Sequence, residues 1–212
     1  AFDHAENQEW RNYESNSFNL EPGKGYLYAH KTGVTLTFDG QPYTGDGEIT
    51  LTRNENNTGA YQGWNLVGNP FTETAYIEVD RDFYVMNEAG TNVVLNESNN
   101  RTIAPMQGIF VKAEQDGETM KFLTEGTATA GDIDQKIVMN VRKDRNMVID
   151  RAMIRFGEGR HLPKFMFNPN DTKLYIAKDN EEFAVVRSID ENSTPISFRA
   201  AEDGTYTLSD NV

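Results

Sequence analysis

Asp150-Arg151-Ala152-Met153-Ile154-Arg155-Phe156 sets Ala152, Ile154 and Phe156 in alternation with Arg151 and Arg155. Successive side chains of an extended chain point to opposite faces, so a period of two puts apolar groups on one side and charges on the other. Upstream, the same period returns at Ile137, Met139 and Val141, and downstream at Ile196 and Phe198 and at Tyr206 and Leu208. Nearer the start, Val34, Leu36 and Phe38 alternate with Thr35 and Thr37. Asp39-Gly40, Asp116-Gly117 and Asp203-Gly204 punctuate these runs with residues that tolerate positive φ. No long stretch carries a helical stripe, although Glu6 to Tyr13 suits a turn or two of helix or a flexible lead-in. Many short strands at this spacing predict an all-β chain built of sandwiches or barrels.

An internal echo refines this. Leu20-Glu21-Pro22-Gly23-Lys24-Gly25-Tyr26-Leu27-Tyr28 matches Ile103-Ala104-Pro105-Met106-Gln107-Gly108-Ile109-Phe110-Val111 in the spacing of Pro, Gly and three large apolar residues. Each copy is followed by a glycine, Gly33 or Gly117, and then by a run ending in Phe38 or Phe122. A tight turn feeding a buried strand, which a second turn returns as a hairpin, is the expected unit. Between the copies, Gly63-Trp64-Asn65-Leu66-Val67-Gly68-Asn69-Pro70-Phe71 places Trp64 as a core residue and ends its strand at Gly68-Asn69-Pro70.

These residues resemble the repeated β-modules of large exported proteins from Bacteroidetes bacteria, which pair a PGKGY or PMQGIFV hairpin with a GWNLVGNPF strand and turn. Asp150–Phe156, Thr172–Ile176, Phe183–Val186, Pro195–Phe198 and Gly204–Leu208 are similar, in order, to the strands of the module that often follows. The resemblance spans roughly residues 18 to 210. It implies secretion or display at the outer-membrane surface, often by the type IX route, in adhesins or as accessory regions of secreted hydrolases. In that family the last module continues past the GTYTL segment, which implies a fragment of something longer. The missing strands would then pair from another segment or another chain.

The expected architecture is therefore all-β, with two β-sandwich modules. Residues 1–126 form the pseudo-repeated one, and residues 127–212 a second, jelly-roll-like one that is incomplete at its C-terminus. The boundary falls in the small-residue run Gly126-Thr127-Ala128-Thr129-Ala130-Gly131.

Composition narrows the partners. With 33 acidic against 20 basic residues the net charge is −13, a surface that repels phosphate backbones and anionic lipid. Nucleic acid is not an expected partner, and no run approaches the roughly 20 apolar residues that would insert in a membrane as a helix. The absence of Cys excludes disulfides, thiol nucleophiles and thiolate metal sites. Ala1-Phe2-Asp3-His4-Ala5-Glu6 lacks the basic-then-apolar plan of a signal peptide.

His4, His30 and His161 stand at no metal-ligand spacing and suit surface or turn positions. No Gly-x-Ser-x-Gly elbow occurs, and Pro22-Gly23-Lys24-Gly25 leads into a strand rather than the helix that a phosphate cradle needs. Paired carboxylates for glycoside hydrolysis carry no signal in so acidic a chain. Asp132-Ile133-Asp134, Asn168-Pro169-Asn170-Asp171 and Asp80-Arg81-Asp82 are candidates for a structural calcium, none in an EF-hand or nonapeptide pattern. No cofactor, metal site or catalytic residue is assigned. Sugar rings stack on exposed aromatics; Trp10 and Tyr13 also lie in polar surroundings, but Tyr43 and Tyr61, which flank loops, are the candidate ligand-binding residues.

The expected function is a non-enzymatic adhesive or scaffolding module that meets host protein, matrix or neighbouring cells through its loops and edges. The alternative is a carbohydrate-binding accessory module of a secreted hydrolase. A third reading, part of a hydrolase active site, requires two carboxylates facing each other in a cleft, one with a raised pKa.

Overall fold

The computed structural model describes residues 19–56, 59–77, 81–87, 90, 92–97, 102–125, 135–144, 147–188 and 194–211. It is all-β, with 44% of residues in strands packed as several sheets and no helix among the described residues, in keeping with β-sandwich modules. The chain divides into two compact units, residues 1–81 with 99–129, and residues 82–98 with 130–212. The run Gly126–Gly131 lies outside the described residues.

In the first unit, β1 (Glu48–Thr50), β8 (Thr119–Leu123), β3 (Ala75–Ile77) and β6 (Thr102–Ile103) form an antiparallel sheet in the order β1-β8-β3-β6. A separate antiparallel ladder joins β2 (Trp64–Gly68) to β7 (Gly108–Lys112), with Leu66 opposite Phe110 and Val67 opposite Ile109. Trp64, Ile77, Ile103, Ile109, Phe110 and Phe122 are buried to 1% exposure or less. Two buried asparagines stitch the irregular backbone to this core. Asn65 accepts from the Thr52 N–H (3.0 Å) and donates to the carbonyls of Thr52 and Gly63 (both 2.9 Å). Asn69 donates to the carbonyls of Glu73 (2.8 Å) and Ile103 (2.9 Å) and accepts from the Phe71 N–H (2.9 Å).

The echoed motif has one local structure and two sequels. Both copies close the same turn, Lys24 N–H to Glu21 carbonyl and Gln107 N–H to Ala104 carbonyl, each 3.1 Å. Both put Pro at the second turn position and a positive φ at the third, +80° at Gly23 and +62° at Met106, the geometry of a type II turn. The copies then flank β2: Gly25 donates to the Leu66 carbonyl and Gly68 to the Gly23 carbonyl on one side, while β7 pairs on the other. The expected return as a hairpin is corrected by the structure. β7 and β8 lie in different sheets, so the turn at Asp116-Gly117 is a corner between layers, with Gly117 donating to the Leu51 carbonyl (3.1 Å). The alternating run Val34–Phe38 belongs to no strand, because the first copy stays in register with β2 only at Lys24 opposite Val67.

In the second unit, the strands are β9 (Lys136–Lys143), β10 (Val148–Phe156), β11 (Leu162–Pro163), β12 (Lys173–Lys178), β13 (Glu181–Ser188), β14 (Ile196–Arg199) and β15 (Tyr206–Asn211). They form one sheet, in the order β14-β12-β13-β10-β9-β15, with β11 also on β13. The β10–β13 pair is parallel and the other described pairs are antiparallel. The two-residue link Asp179-Asn180 turns β12 into β13 with φ of +52° and +64°, the twist-matched hairpin geometry. Val141, Ala152, Ile154, Leu174, Ile176, Phe183 and Val186 form a core cluster, against which Ile137, Met139, Phe156, Ile196 and Tyr206 pack. A short hairpin of β4 (Tyr84–Met86) and β5 (Val93–Leu95) belongs to this unit. It is tied to the sheet where Arg151 of β10 donates to the Leu95 carbonyl (2.6 Å).

Candidate functional site

Between its bridge to β2 and the start of β1, the first copy of the motif runs outside every strand. This segment holds five of the ten large apolar side chains exposed to solvent among the described residues. Leu27, Val34, Leu36 and Phe38 are exposed by 43%, 44%, 47% and 54%, and Tyr28 by 59%. One end is fixed, because Gly23 and Gly25 are hydrogen-bonded along β2 and the Tyr26 hydroxyl accepts from the Glu21 N–H (3.0 Å). Glycine is required there: a Cβ on Gly25 would lie 2.5 Å from Leu66 Cγ. At the middle, the Tyr28 ring stacks on His30 with centroids 6.3 Å apart, and His30 Nδ1 lies 2.8 Å from the Thr32 carbonyl. His30 thus serves a bend. Residues 26 to 40 carry Lys31 and Asp39 as their formal charges, a nearly neutral stretch in a chain of net −13. An extended apolar segment outside a ladder is a template for another strand.

Tyr43 and Tyr61 sit in separate turns of the first unit, both half-buried. The Tyr43 ring meets Phe71 edge-on at 5.4 Å, and its hydroxyl accepts from the Gly47 N–H at 3.3 Å. Tyr61 lies in the turn before β2, its carbonyl accepting from the Trp64 N–H at 2.9 Å. Each is partly exposed as a residue, and each is engaged within the first unit.

The calcium candidates have other engagements. Asp82 pairs with Arg155 at 2.8 Å, with both side chains almost wholly buried. Arg81 pairs with Glu118 and donates to the Lys112 carbonyl (2.7 Å). Asn168 caps its own turn, accepting from the Asn170 N–H (3.0 Å) and donating to Asp171 (3.1 Å), while the Arg199 guanidinium donates to the Pro169 carbonyl. A guanidinium beside a cation site opposes it. Asp80 and Asp132-Ile133-Asp134 lie outside the described residues, as do His4, Trp10 and Tyr13. Among the described residues no group of three or more His, Asp or Glu could hold a metal ion.

His161 has a structural task. Its Nδ1 accepts the Arg187 N–H (3.0 Å), and its ring meets Phe183 edge-on. Burial, followed by the nearby Lys178 ammonium, holds its pKa below the ordinary histidine value.

Sequence reasoning missed a buried polar cluster in the second unit. Lys164 Nζ lies 2.6 Å from Asp150 Oδ1, with the two side chains 2% and 3% exposed. The lysine also donates to the Arg151 carbonyl (2.9 Å), and Asp150 Oδ2 accepts the Leu174 N–H (2.7 Å). Tyr84, fully buried, lies with its ring 6.0 Å from Nζ and its hydroxyl accepting the Phe165 N–H (3.2 Å). Burial raises the Tyr84 phenol well above its ordinary pKa, reinforced by the Asp150 carboxylate. Burial also lowers the Lys164 pKa, against the opposing pull of Asp150. A lysine between apolar neighbours, as in Leu162-Pro163-Lys164-Phe165, was the only local sign.

No protein-family model, curated protein or solved structure matches this chain.

Proposed function

We propose that this chain is a non-catalytic secreted or cell-surface module with an adhesive or scaffolding role, and that it engages an extended segment of a protein partner through residues 26–38. One observation carries the reading: five large apolar side chains, three of them alternating at Val34, Leu36 and Phe38, are exposed in a segment anchored to β2 at one end and belonging to no strand. Large apolar side chains exposed together along one segment are a mark of interaction sites. The period of two and the local near-neutrality fit strand addition by an apolar, β-branched peptide better than capture of a charged ligand. The net charge of −13 supports a protein partner over nucleic acid.

The test is binding of the whole chain to parallel arrays of matrix proteins and glycans, beside Val34→Thr/Leu36→Thr/Phe38→Thr and Tyr43→Ala/Tyr61→Ala variants. Saturable binding to a protein, lost in the threonine variant and kept in the tyrosine variant, is the expected result. Saturable glycan binding lost in the tyrosine variant would move the assignment to a carbohydrate-binding accessory module. That alternative draws on the partial exposure of Tyr43 and Tyr61.

A further inference from the structure

Lys164 and Asp150 pair in the interior of the second unit. Two opposite charges this deeply buried carry a desolvation cost of several kcal/mol per ion, which their attraction repays only with good geometry and further hydrogen bonds. Here the two groups are also held in direct contact, with a backbone donor on the far oxygen. The nitrogen is 2.6 Å from one carboxylate oxygen, Oδ1. The other oxygen, Oδ2, is held 2.7 Å from the Leu174 N–H, a fixed backbone donor placed where negative charge would grow on that oxygen. The Arg151 carbonyl, 2.9 Å from Nζ, orients the amine. Both side chains are almost wholly out of solvent, and the Tyr84 ring and the Arg151 carbonyl of β10 lie near Nζ.

We propose that Lys164 and Asp150 condense into an internal amide cross-link. A proton moving from Nζ to Oδ1 along their hydrogen bond turns the ion pair into an amine and a carboxylic acid. Burial assists that step by disfavouring the ammonium of Lys164. Nζ then attacks Cγ, and the Nζ–Cγ bond forms while the Leu174 N–H stabilises the oxyanion on Oδ2. The Cγ–Oδ1 bond breaks, and Oδ1 departs as water with the two protons the ammonium has given up. Charge and atoms balance with no co-reactant: one ammonium and one carboxylate give one neutral amide and one water. Holding the two groups in contact supplies the effective concentration that free amines and carboxylates lack. The product replaces two buried charges with a neutral group that keeps the Leu174 N–H satisfied. It would clip the segment after β11 to β10, independently of what residues 26–38 bind.

The test is the intact mass of the purified full chain under denaturing conditions, followed by peptide mapping. The expected result is a chain lighter than its sequence by one water, with a branched peptide joining Lys164 to Asp150. Lys164→Arg restores the full mass. A wild-type chain at its full calculated mass overturns the proposal. So does a loss of one water that persists in Lys164→Arg, since that would place the dehydration elsewhere.

Discussion

Met106 holds a backbone angle that its counterpart in the echoed motif, Gly23, holds at lower cost. Its φ is +62°, in the left-handed region that penalises a Cβ, and its side chain is 69% exposed, so little packing repays the strain. Met106→Gly is expected to raise stability by about 0.5–1 kcal/mol, read as a higher midpoint in urea. Gly23→Ala should do the reverse, since its Cβ would also meet Ile49 Cδ1 at 2.7 Å. Among the charges, Asp82→Asn removes the carboxylate charge that faces the buried Arg155 guanidinium and should cost about 3–5 kcal/mol. The exposed Glu202 partner of Lys143 can become Gln with no shift in the urea midpoint. His161 sets a pH dependence. Its folded pKa lies below the ordinary histidine value of 6.5, so the unfolded chain binds the proton more readily. Its contribution is full above about pH 6.5 and declines as pH falls from there toward the folded pKa. In His161→Gln the slope of urea midpoint against pH in that window should flatten.

At the scale of elements, Asn65 and Asn69 carry the irregular parts of the first unit. Asn65→Ala leaves the Thr52 N–H and carbonyl without their partner and should cost about 2–3 kcal/mol in urea unfolding. The threonine variant at positions 34, 36 and 38 removes exposed side chains only, so its urea midpoint should match the wild type while its binding is lost. The period of two made β9, β10, β14 and β15 legible, whereas β12 and β13 cover runs named only through the resemblance. That period failed at Val34–Phe38, where the alternation is as clean as in β10 yet no strand forms. Periodicity reports which side chains could share a face; whether a partner strand exists to cover that face is decided by the rest of the chain. The hairpin β4–β5 was overlooked, its two three-residue strands being too short to show a period.

At the scale of the molecule, the all-β class follows from turn chemistry and alternation that are local and therefore visible in the sequence. The parallel β10–β13 pairing and the membership of residues 82–98 in the second unit depend on contacts far apart in the chain. The buried charges were hidden for the same reason. Asp150, Lys164, Arg155 and Asp82 look like surface residues until their partners, 14 and 73 positions away, are seen beside them. The candidate binding residues named from the sequence, Tyr43 and Tyr61, were chosen for loop position; the exposed segment 26–38 was hidden because its pattern promised burial. As proposed above, this segment stands exposed and ready to receive a strand. The most direct test is amide hydrogen exchange of the free chain, resolved by peptide. Residues 26–39 should exchange rapidly while β2, β7, β10 and β13 remain protected, and protection at 26–39 should appear when a captured protein partner is added. Slow exchange at 26–39 in the free chain would mean that the segment is already paired, and the binding face proposed here would not exist.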